Sequence, residues 1–152
     1  MTKGTTEIRE IQVDDYREIY LLNQEFNPNL HQFSEERVKD KIETLIYKTK
    51  DVILVYEQNN IVLGYIHGSP YELLFSDSLI NILGFVVKEE FRNLGIGSAL
   101  IKRLEEWGKN NGYSGIKLLS HPSRKNAHRF YENRGYKFTK DQMNFIKILD
   151  MD

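Results

Sequence analysis

Two hydrophobic periods alternate along this chain. Short apolar or alternating runs predict strands, and longer segments with apolar residues every three or four positions predict helices. The predicted strands are Glu7–Val13, Val52–Glu57, Ile61–His67, Leu79–Val87, Ile116–Leu119, Tyr136–Thr139 and Met143–Ile148. The predicted helices run from Asp14 or Asp15 to Phe26, from Ser34 through Ile46, and over Gly97–Asn110 and Lys125–Asn133. The order β-α-α-β-β-β-α-β-α-β-β indicates a mixed α/β fold.

Turn residues separate these segments. The short polar run Gln58-Asn59-Asn60 predicts a hairpin between its flanking strands. Gly68-Ser69-Pro70 is expected to end the third strand, and 71–77 is expected to form a loop. Gly84 interrupts the fourth strand, where a glycine often marks a bulge or a close backbone approach.

The turn from Arg92 to Ser98 carries the strongest chemical signal. It follows an apolar strand and opens an amphipathic helix, with glycines at Gly95 and Gly97 and no acidic residue. The first N–H groups of a helix have no intrahelical partner and lie at the positive end of its dipole. Such a turn is suited to an anion, most often a phosphate.

Several interpretations compete for this turn. A P-loop requires Gly-Lys-Ser/Thr, but Gly97 is followed by Ser98 and Ala99. A dinucleotide fingerprint requires a third glycine and an acidic residue after the next strand. Here Leu100 stands in place of the third glycine, and Ser120 and His121, which are not acidic, follow the next strand, so this fingerprint is incomplete. A pyrophosphate cradle of the form Arg-x-x-Gly-x-Gly fits, and an ordinary strand-to-helix turn remains open.

Three blocks of sequence together resemble the GNAT superfamily of acyl-CoA-dependent N-acetyltransferases. They are the strand and connector Phe85–Arg92, the Arg-x-x-Gly-x-Gly run, and Ala127–Tyr136, which is similar to the family's Ala-x-x-Phe-Tyr-x-x-x-Gly-Phe block. The resemblance implies a single N-acetyltransferase domain over residues 1–152. It implies an α/β (α+β) fold with a mixed, mostly antiparallel sheet of about seven strands and about four helices. Strands four and five would run parallel and splay apart around the acyl-pantetheine.

The same resemblance implies acetyl-CoA as co-substrate. The residues it implies for binding are Phe85, Val86, Val87, Arg92, Asn93, Leu94, Gly95, Ile96, Gly97, Ser98, Arg124 and Tyr131. The end of the fourth strand, at Val87, would hold the pantetheine and polarise the thioester. Arg124 stands where relatives often have an Asn, so this position departs from the family pattern and lacks the usual amide.

Acetyl transfer to an amine requires a proton donor for the leaving thiolate and a route for the amine proton. Tyr131 is the candidate acid, since the resemblance places a tyrosine at that position. Asn81 lies on the fourth strand where some relatives carry a catalytic Glu, and an amide can only orient a water. His67, Glu72, Asp77 and His121 remain as bases. Among these side chains, His121 is the first choice as base. A relay of water molecules that carries the amine proton to solvent is preferred over any of these side chains.

Composition narrows the remaining classes. The chain has 152 residues, a net charge of −1 and no cysteine, so no nucleic-acid attraction, disulfide or cysteine-ligated metal is expected. No spacing of His, Asp and Glu predicts a metal site, and no apolar run predicts a membrane span. The cytoplasm is the expected location. The acceptor would be a small amine or a peptide, a homodimer stays open, and a catalytically silent CoA-binding module is the alternative function.

Overall fold

The computed structural model describes residues 4–150. Its strands are β1 (Thr6–Glu10), β2 (Val52–Gln58), β3 (Ile61–Tyr71), β4 (Leu79–Val87) and β5 (Gly115–Leu118). Its helices are α1 (Tyr16–Phe26), α2 (Glu35–Lys48), α3 (Ile96–Asn110) and α4 (Lys125–Asn133). The chain divides into two compact units, Met1–Leu118 with all five strands and α1–α3, and Leu119–Asp152 with α4. The single domain over 1–152 stays a prediction.

The strands form one mixed sheet in the order β1-β2-β3-β4-β5. All neighbours are antiparallel except β4 and β5, which run parallel from the pair Leu79 and Gly115 to the pair Ile82 and Leu118. The parallel relation between the fourth and fifth strands, which the family resemblance implied, is therefore confirmed.

The prediction of about seven strands is wrong, because the sheet has five. Within the described part of the chain, 136–150 contains no strand, and Phe138, Met143, Phe145 and Ile148 are exposed. Alternation of apolar residues favours a strand only where a neighbouring edge supplies hydrogen bonds and covers the apolar face. The predicted strands Tyr136–Thr139 and Met143–Ile148 have the pattern without that pairing.

The third strand continues beyond its expected end. Gly68, Ser69 and Pro70 stay in β3 and pair with β4, and Pro70 lies opposite Ile80. The pairing of β2 with β3 ends at Val52 and Gly68. Beyond Gly68 one side of β3 is therefore a sheet edge, where a proline without an N–H is tolerated.

Two apolar layers enclose the sheet of the first unit. On one face, β2, β3 and β4 contribute to a buried cluster with α1 and α2 that includes Ile19, Leu22, Val38, Ile42 and Val55. On the other face, Leu100, Ile101 and Leu104 of α3 are completely buried. Alternate residues of a strand point to opposite faces, so β3 serves both layers.

Arg9 ties β1 to the segment before α1. Its guanidinium donates to both oxygens of Asp15, at 2.9 and 2.8 Å, and to Glu57 on β2 at 2.6 Å. These two carboxylates raise the pKa of Arg9 further above its ordinary value. Asp15 is buried, and the paired geometry satisfies both of its oxygens.

Candidate active site

The glycine turn forms the predicted start of α3. Gly95 is the N-cap residue and adopts the left-handed conformation, with φ of 88° and ψ of 2°. The first helical bond runs from Ala99 N–H to the Gly95 carbonyl, so the N–H groups of Ile96, Gly97 and Ser98 precede the ladder. No side chain caps this end, and no acidic residue lies in the first turn. These free donors and the helix dipole make an anion-binding geometry.

Arg92 connects this turn to the end of β4. Its Nε donates to the Val87 carbonyl at 3.1 Å, and Lys88 N–H donates to the Leu63 carbonyl at 2.8 Å. The strand end at 85–87 is thereby fixed beside the turn that follows it. Val86 lies in the buried core, whereas Phe85 and Val87 are half-buried.

A bulge interrupts β4 just before this end. His67 pairs with Gly84 and Gly68 pairs with Ile82, so Leu83 has no partner in the ladder. Of the two features that Gly84 indicated, a bulge or a close backbone approach, the structure shows a bulge at Leu83. A Cβ on Gly84 would lie 3.3 Å from Tyr65 Cε2 and 3.8 Å from His67 Cβ. The glycine therefore allows the Tyr65 ring to pack closely against the backbone of β4.

Asn81 lies in a polar row across three strands. It pairs with Ser69 on β3 and with Lys117 on β5. Lys117 Nζ lies 5.0 Å from the centre of the Tyr71 ring. An amide cannot accept a proton as a carboxylate does, so Asn81 can orient a water but cannot itself serve as the base.

His67 belongs to a cluster that includes a carboxylate. Its Nε2 lies 2.8 Å from Asp51 Oδ2, and Ser69 Oγ donates to Asp51 Oδ1 at 2.7 Å. The His67 ring lines a cavity of about 130 Å³ between the sheet and helices α1 and α2. Tyr65 lines the same cavity and donates to Asn23 Oδ1 at 2.5 Å, and burial raises its pKa to about 12.

In the second unit, Tyr131 lies near the end of α4. Gly135 has φ of 90°, its N–H donates to the Glu132 carbonyl at 3.0 Å, and Tyr136 N–H donates to the Tyr131 carbonyl at 3.0 Å. These bonds form a Schellman motif, which explains the spacing from Tyr131 to Gly135. The Tyr131 ring contacts those of Phe130 and Tyr136 edge-on. Burial raises the pKa of Tyr131, and the charge of Arg124 partly opposes this rise.

His121 is held locally in the same unit. Its Nδ1 accepts from the Ser123 N–H at 3.1 Å, and Ser123 Oγ lies 2.7 Å from the same nitrogen. An N–H can only donate, so the lone pair of Nδ1 is already engaged and the proton of the neutral ring lies on Nε2. The role of His121 as base stays a prediction, and this bonding disfavours it. Arg124 is the N-cap residue of α4, and its contact with CoA also stays a prediction.

The sequence comparisons identify the class of this fold and site. A sequence model of the Acetyltransferase (GNAT) family matches residues 6–136, so the chain belongs to the GNAT acetyltransferase family. The uncharacterized protein YdhI of Bacillus subtilis (strain 168) is 36% identical over 73 residues, which make up 48% of this chain and 39% of YdhI. The match thus spans about two fifths of that relative.

Solved structures of acetyltransferases share the fold. The aminoglycoside N-acetyltransferase AAC(6')-Iy in complex with CoA has a TM-score of 0.83 at 15% identity, covering 96% of this chain and 97% of that one. A Trypanosoma brucei acetyltransferase has a TM-score of 0.79 at 20% identity, covering 94% and 100%. AAC(6')-Iy bound to the bisubstrate analogue CoA-S-monomethyl-acetylneamine has a TM-score of 0.78 at 17% identity, covering 95% and 99%. Family membership supports acyl transfer from acetyl-CoA as the general activity.

Sequence reasoning named His67 but missed its cluster. The predicted hairpin already sets the start of one strand opposite the end of the next, and this register brings Asp51 to His67. The observed register pairs Ile53 with His67 and is shifted between Tyr56 and Glu57, so the turn alone does not align Asp51 with His67 to the residue. Among residues 4–150, no group of three or more His, Asp or Glu side chains could hold a metal ion. In that same range, no helix has both the length and the apolar character needed to cross a bilayer.

Proposed function

We propose that this protein transfers an acetyl group from acetyl-CoA to a primary amine by direct attack in a ternary complex. The observation that carries the proposal is the start of α3, where Gly95 in the left-handed conformation precedes uncapped N–H groups with no acidic residue beside them. This geometry fits the pyrophosphate of CoA, which is a compact dianion that needs several donors at once.

The strand end of β4 supports the same assignment. Arg92 is the cation nearest in sequence to the glycines, and its hydrogen bond to Val87 holds the turn and the strand end together. In the family, this strand end holds the pantetheine. The binding residues proposed are therefore Phe85–Val87 on β4 and Arg92–Ser98 in the turn, with Arg124 and Tyr131 carried over from the family pattern.

The reaction moves protons at two places. The amine nitrogen attacks the thioester carbonyl carbon, a C–N bond forms, and the C–S bond breaks. The leaving thiolate takes a proton, for which Tyr131 is the proposed donor because a phenol with a raised pKa stays protonated at neutral pH. A primary amine or the amino group of a peptide is the proposed acceptor.

A catalytically silent CoA-binding module is the second candidate. Asn81 favours it, since this amide occupies the strand position at which some relatives carry a catalytic Glu. The two candidates differ in thioester cleavage. Release of free CoA thiol from acetyl-CoA, measured across a panel of primary amines, is expected to rise with at least one amine. CoA binding without amine-dependent thiol release by any member of the panel would favour the silent module.

The role of the glycine turn in CoA binding is tested by substituting Gly95 in the turn and, as a control, Gly112 at the other end of α3. Gly95 and Gly112 both have positive φ, and a Cβ at either would meet no other atom within 4 Å. An L-residue in this conformation costs about 1–2 kcal/mol at either position. Only Gly95 shapes the donors of the cradle. Gly95→Ala is expected to weaken CoA binding at least about tenfold, since the N–H groups turn away from the anion.

Isothermal titration calorimetry with CoA measures this effect. Gly112→Ala is the control, with the same backbone penalty at the other end of α3, and its Kd is expected to stay within about twofold of that of the unmodified protein. If Gly95→Ala is folded and its Kd for CoA is unchanged, the glycine turn is not the pyrophosphate site.

A further inference from the structure

The hydrogen bonds of the His67 cluster fix the position of its ring proton. An ionised carboxylate has no proton to donate, so the 2.8 Å contact between Asp51 Oδ2 and His67 Nε2 requires the proton on Nε2. Nδ1 then carries the lone pair. Among residues 4–150, nothing forms a hydrogen bond to this Nδ1. The His67 side chain keeps 16% of its surface exposed, so it is not completely buried.

The position of His67 in the sheet relates it to the reacting end of β4. His67 pairs with Gly84, the residue between the bulge at Leu83 and the strand end at 85–87. Gly84 itself contributes no side chain opposite His67, and the nearest atoms to its Cβ position belong to Tyr65. Ser69 and Asn81, one step further along the same face, form a polar pair of residues. His67 thus lies on β3 opposite the residue that directly precedes the strand end at 85–87, where the proposed function places the pantetheine.

The groups that face His67 come from several elements. Asp51, just before β2, contributes a negative charge, and Lys41 on α2 contributes a positive charge at the margin of the cavity. Tyr65 on β3 also lines the cavity, and burial raises its pKa to about 12, so its phenol is neutral. Helix α1 contributes the neutral Asn23.

We propose that His67 is the general base of the acetyl transfer, with Asp51 as the positioning residue that holds its tautomer. The inference rests on the proposed function. An acceptor amine that arrives as an ammonium ion gives one proton to His67 Nδ1 before its lone pair attacks, and Asp51 faces the charge that forms on the ring. The nitrogen loses its second proton after the C–N bond forms. One proton is released to solvent, and the other balances the proton that the departing sulfur receives.

The two candidate histidines, His67 and His121, differ in the hydrogen bonding of their Nδ1 atoms. His121 presents an engaged Nδ1, whereas His67 presents a lone pair without a protein partner among the described residues. A carboxylate also supports the ring of His67, which is the arrangement that orients an imidazole for proton uptake.

The test uses the full chain and the best alkylamine acceptor from the panel. In His67→Gln, an amide N–H can still donate to Asp51, but the side chain no longer takes a proton. We expect kcat/KM to fall at least about 100-fold, within the range of general base catalysis, and the acidic limb of the pH profile to disappear. The Kd for CoA should stay within twofold. His31→Gln, at an exposed histidine bonded to the Pro28 carbonyl, is the matched control and should leave both readouts unchanged.

Two further measurements separate a base from a structural role. An arylamine acceptor arrives unprotonated, so the loss in His67→Gln should shrink at least about tenfold relative to the alkylamine, whereas a distorted site would impair both equally. Imidazole ¹⁵N shifts of the protein without substrate should place the neutral ring proton of His67 on Nε2, and Asp51→Asn should alter that tautomer.

The outcomes are distinct. An active protein whose acidic limb survives in His67→Gln, or vanishes only in His121→Asn, overturns the assignment of His67 and leaves the proposed function intact. A proton on Nδ1 of His67 in the unmodified protein also overturns it. If the unmodified protein binds CoA but acetylates no amine, the proposed function fails, and the assignment of the base fails with it.

Discussion

Burial raises the pKa of two tyrosines, and the consequences differ because their surroundings differ. Tyr65 donates to Asn23 inside the first unit, and its pKa rises to about 12. Tyr131 lies in the second unit, where burial raises its pKa and the charge of Arg124 partly opposes the rise. Both phenols therefore remain protonated at neutral pH. A protonated phenol is useful only where a group nearby needs its proton, which the family pattern implies for Tyr131.

Replacing Tyr131 with Phe removes this proton and keeps the ring contacts with Phe130 and Tyr136. If Tyr131 is the acid, turnover should fall about 10²–10⁴-fold, the usual value of general acid catalysis, while the Kd for CoA stays nearly constant. Steady-state kcat and CoA calorimetry separate the two effects. Tyr136→Phe is the control, since its phenol is assigned no chemistry.

The pH profile of the unmodified protein adds a second check on Tyr131. A raised pKa keeps the donor form populated to higher pH, so no alkaline loss of activity from this group is expected below its ordinary pKa of 10. Full turnover in Tyr131→Phe would mean that water protonates the sulfur and that Tyr131 has a packing role.

Single residues differ in how well sequence predicts them. Gly95 was predictable because a left-handed N-cap before an uncapped helix leaves a direct sequence pattern. The pair of His67 with Asp51 depends on strand register, which the hairpin predicts but does not align to the residue. The engaged Nδ1 of His121 depends on the loop that follows β5, and no periodicity describes that loop.

At the scale of elements, the end of α4 explains a sequence pattern. The Schellman motif sets Tyr131 and Tyr136 on either side of Gly135, and their rings meet with centroids 5.8 Å apart. Such a contact between the residues flanking the turn commonly accompanies this motif. The Phe-Tyr-x-x-x-Gly-Tyr block is thus a helix-stop signal as well as a carrier of Tyr131.

Gly135→Ala tests that account. Alanine in the left-handed conformation costs about 1–2 kcal/mol, whereas asparagine tolerates it better. The free energy of unfolding, measured with urea, should fall by about that amount in Gly135→Ala and by less in Gly135→Asn. Equal losses in both variants would show that the side chain, and not the backbone conformation, determines the effect.

The sequence predicted the bounds of several helices and of the central strands well, and β4 has its predicted bounds. Helix α4 has its predicted bounds, and α3 begins one residue earlier than expected. The strands predicted at 136–139 and 143–148 have suitable alternation, yet a strand also needs an edge to bond with. Alternation describes which side chains share a face and carries no information about a partner.

At the scale of the whole molecule, ligand binding and folding are linked. The glycine turn opens α3, whose residues Leu100, Ile101 and Leu104 are completely buried against the sheet. Whatever stabilises the first turn of α3 therefore stabilises an element at the centre of the first unit. A ligand that binds only the folded chain raises its free energy of unfolding by RT ln(1 + [L]/Kd).

CoA at about 100 times its Kd should stabilise the folded chain by about 2.7 kcal/mol. For a chain of this size that amount corresponds to a rise in Tm of roughly 5–10 °C. Differential scanning calorimetry measures the shift, and Gly95→Ala should reduce it at the same CoA concentration, because its Kd is higher. Pantetheine lacks the pyrophosphate that the cradle is proposed to bind, so at equal concentration it should shift Tm much less than CoA. Pantetheine lacks the 3′-phosphoadenosine of CoA as well as its pyrophosphate, so an equal shift from pantetheine, which carries no phosphate for the glycine turn to bind, would place the binding energy outside that turn.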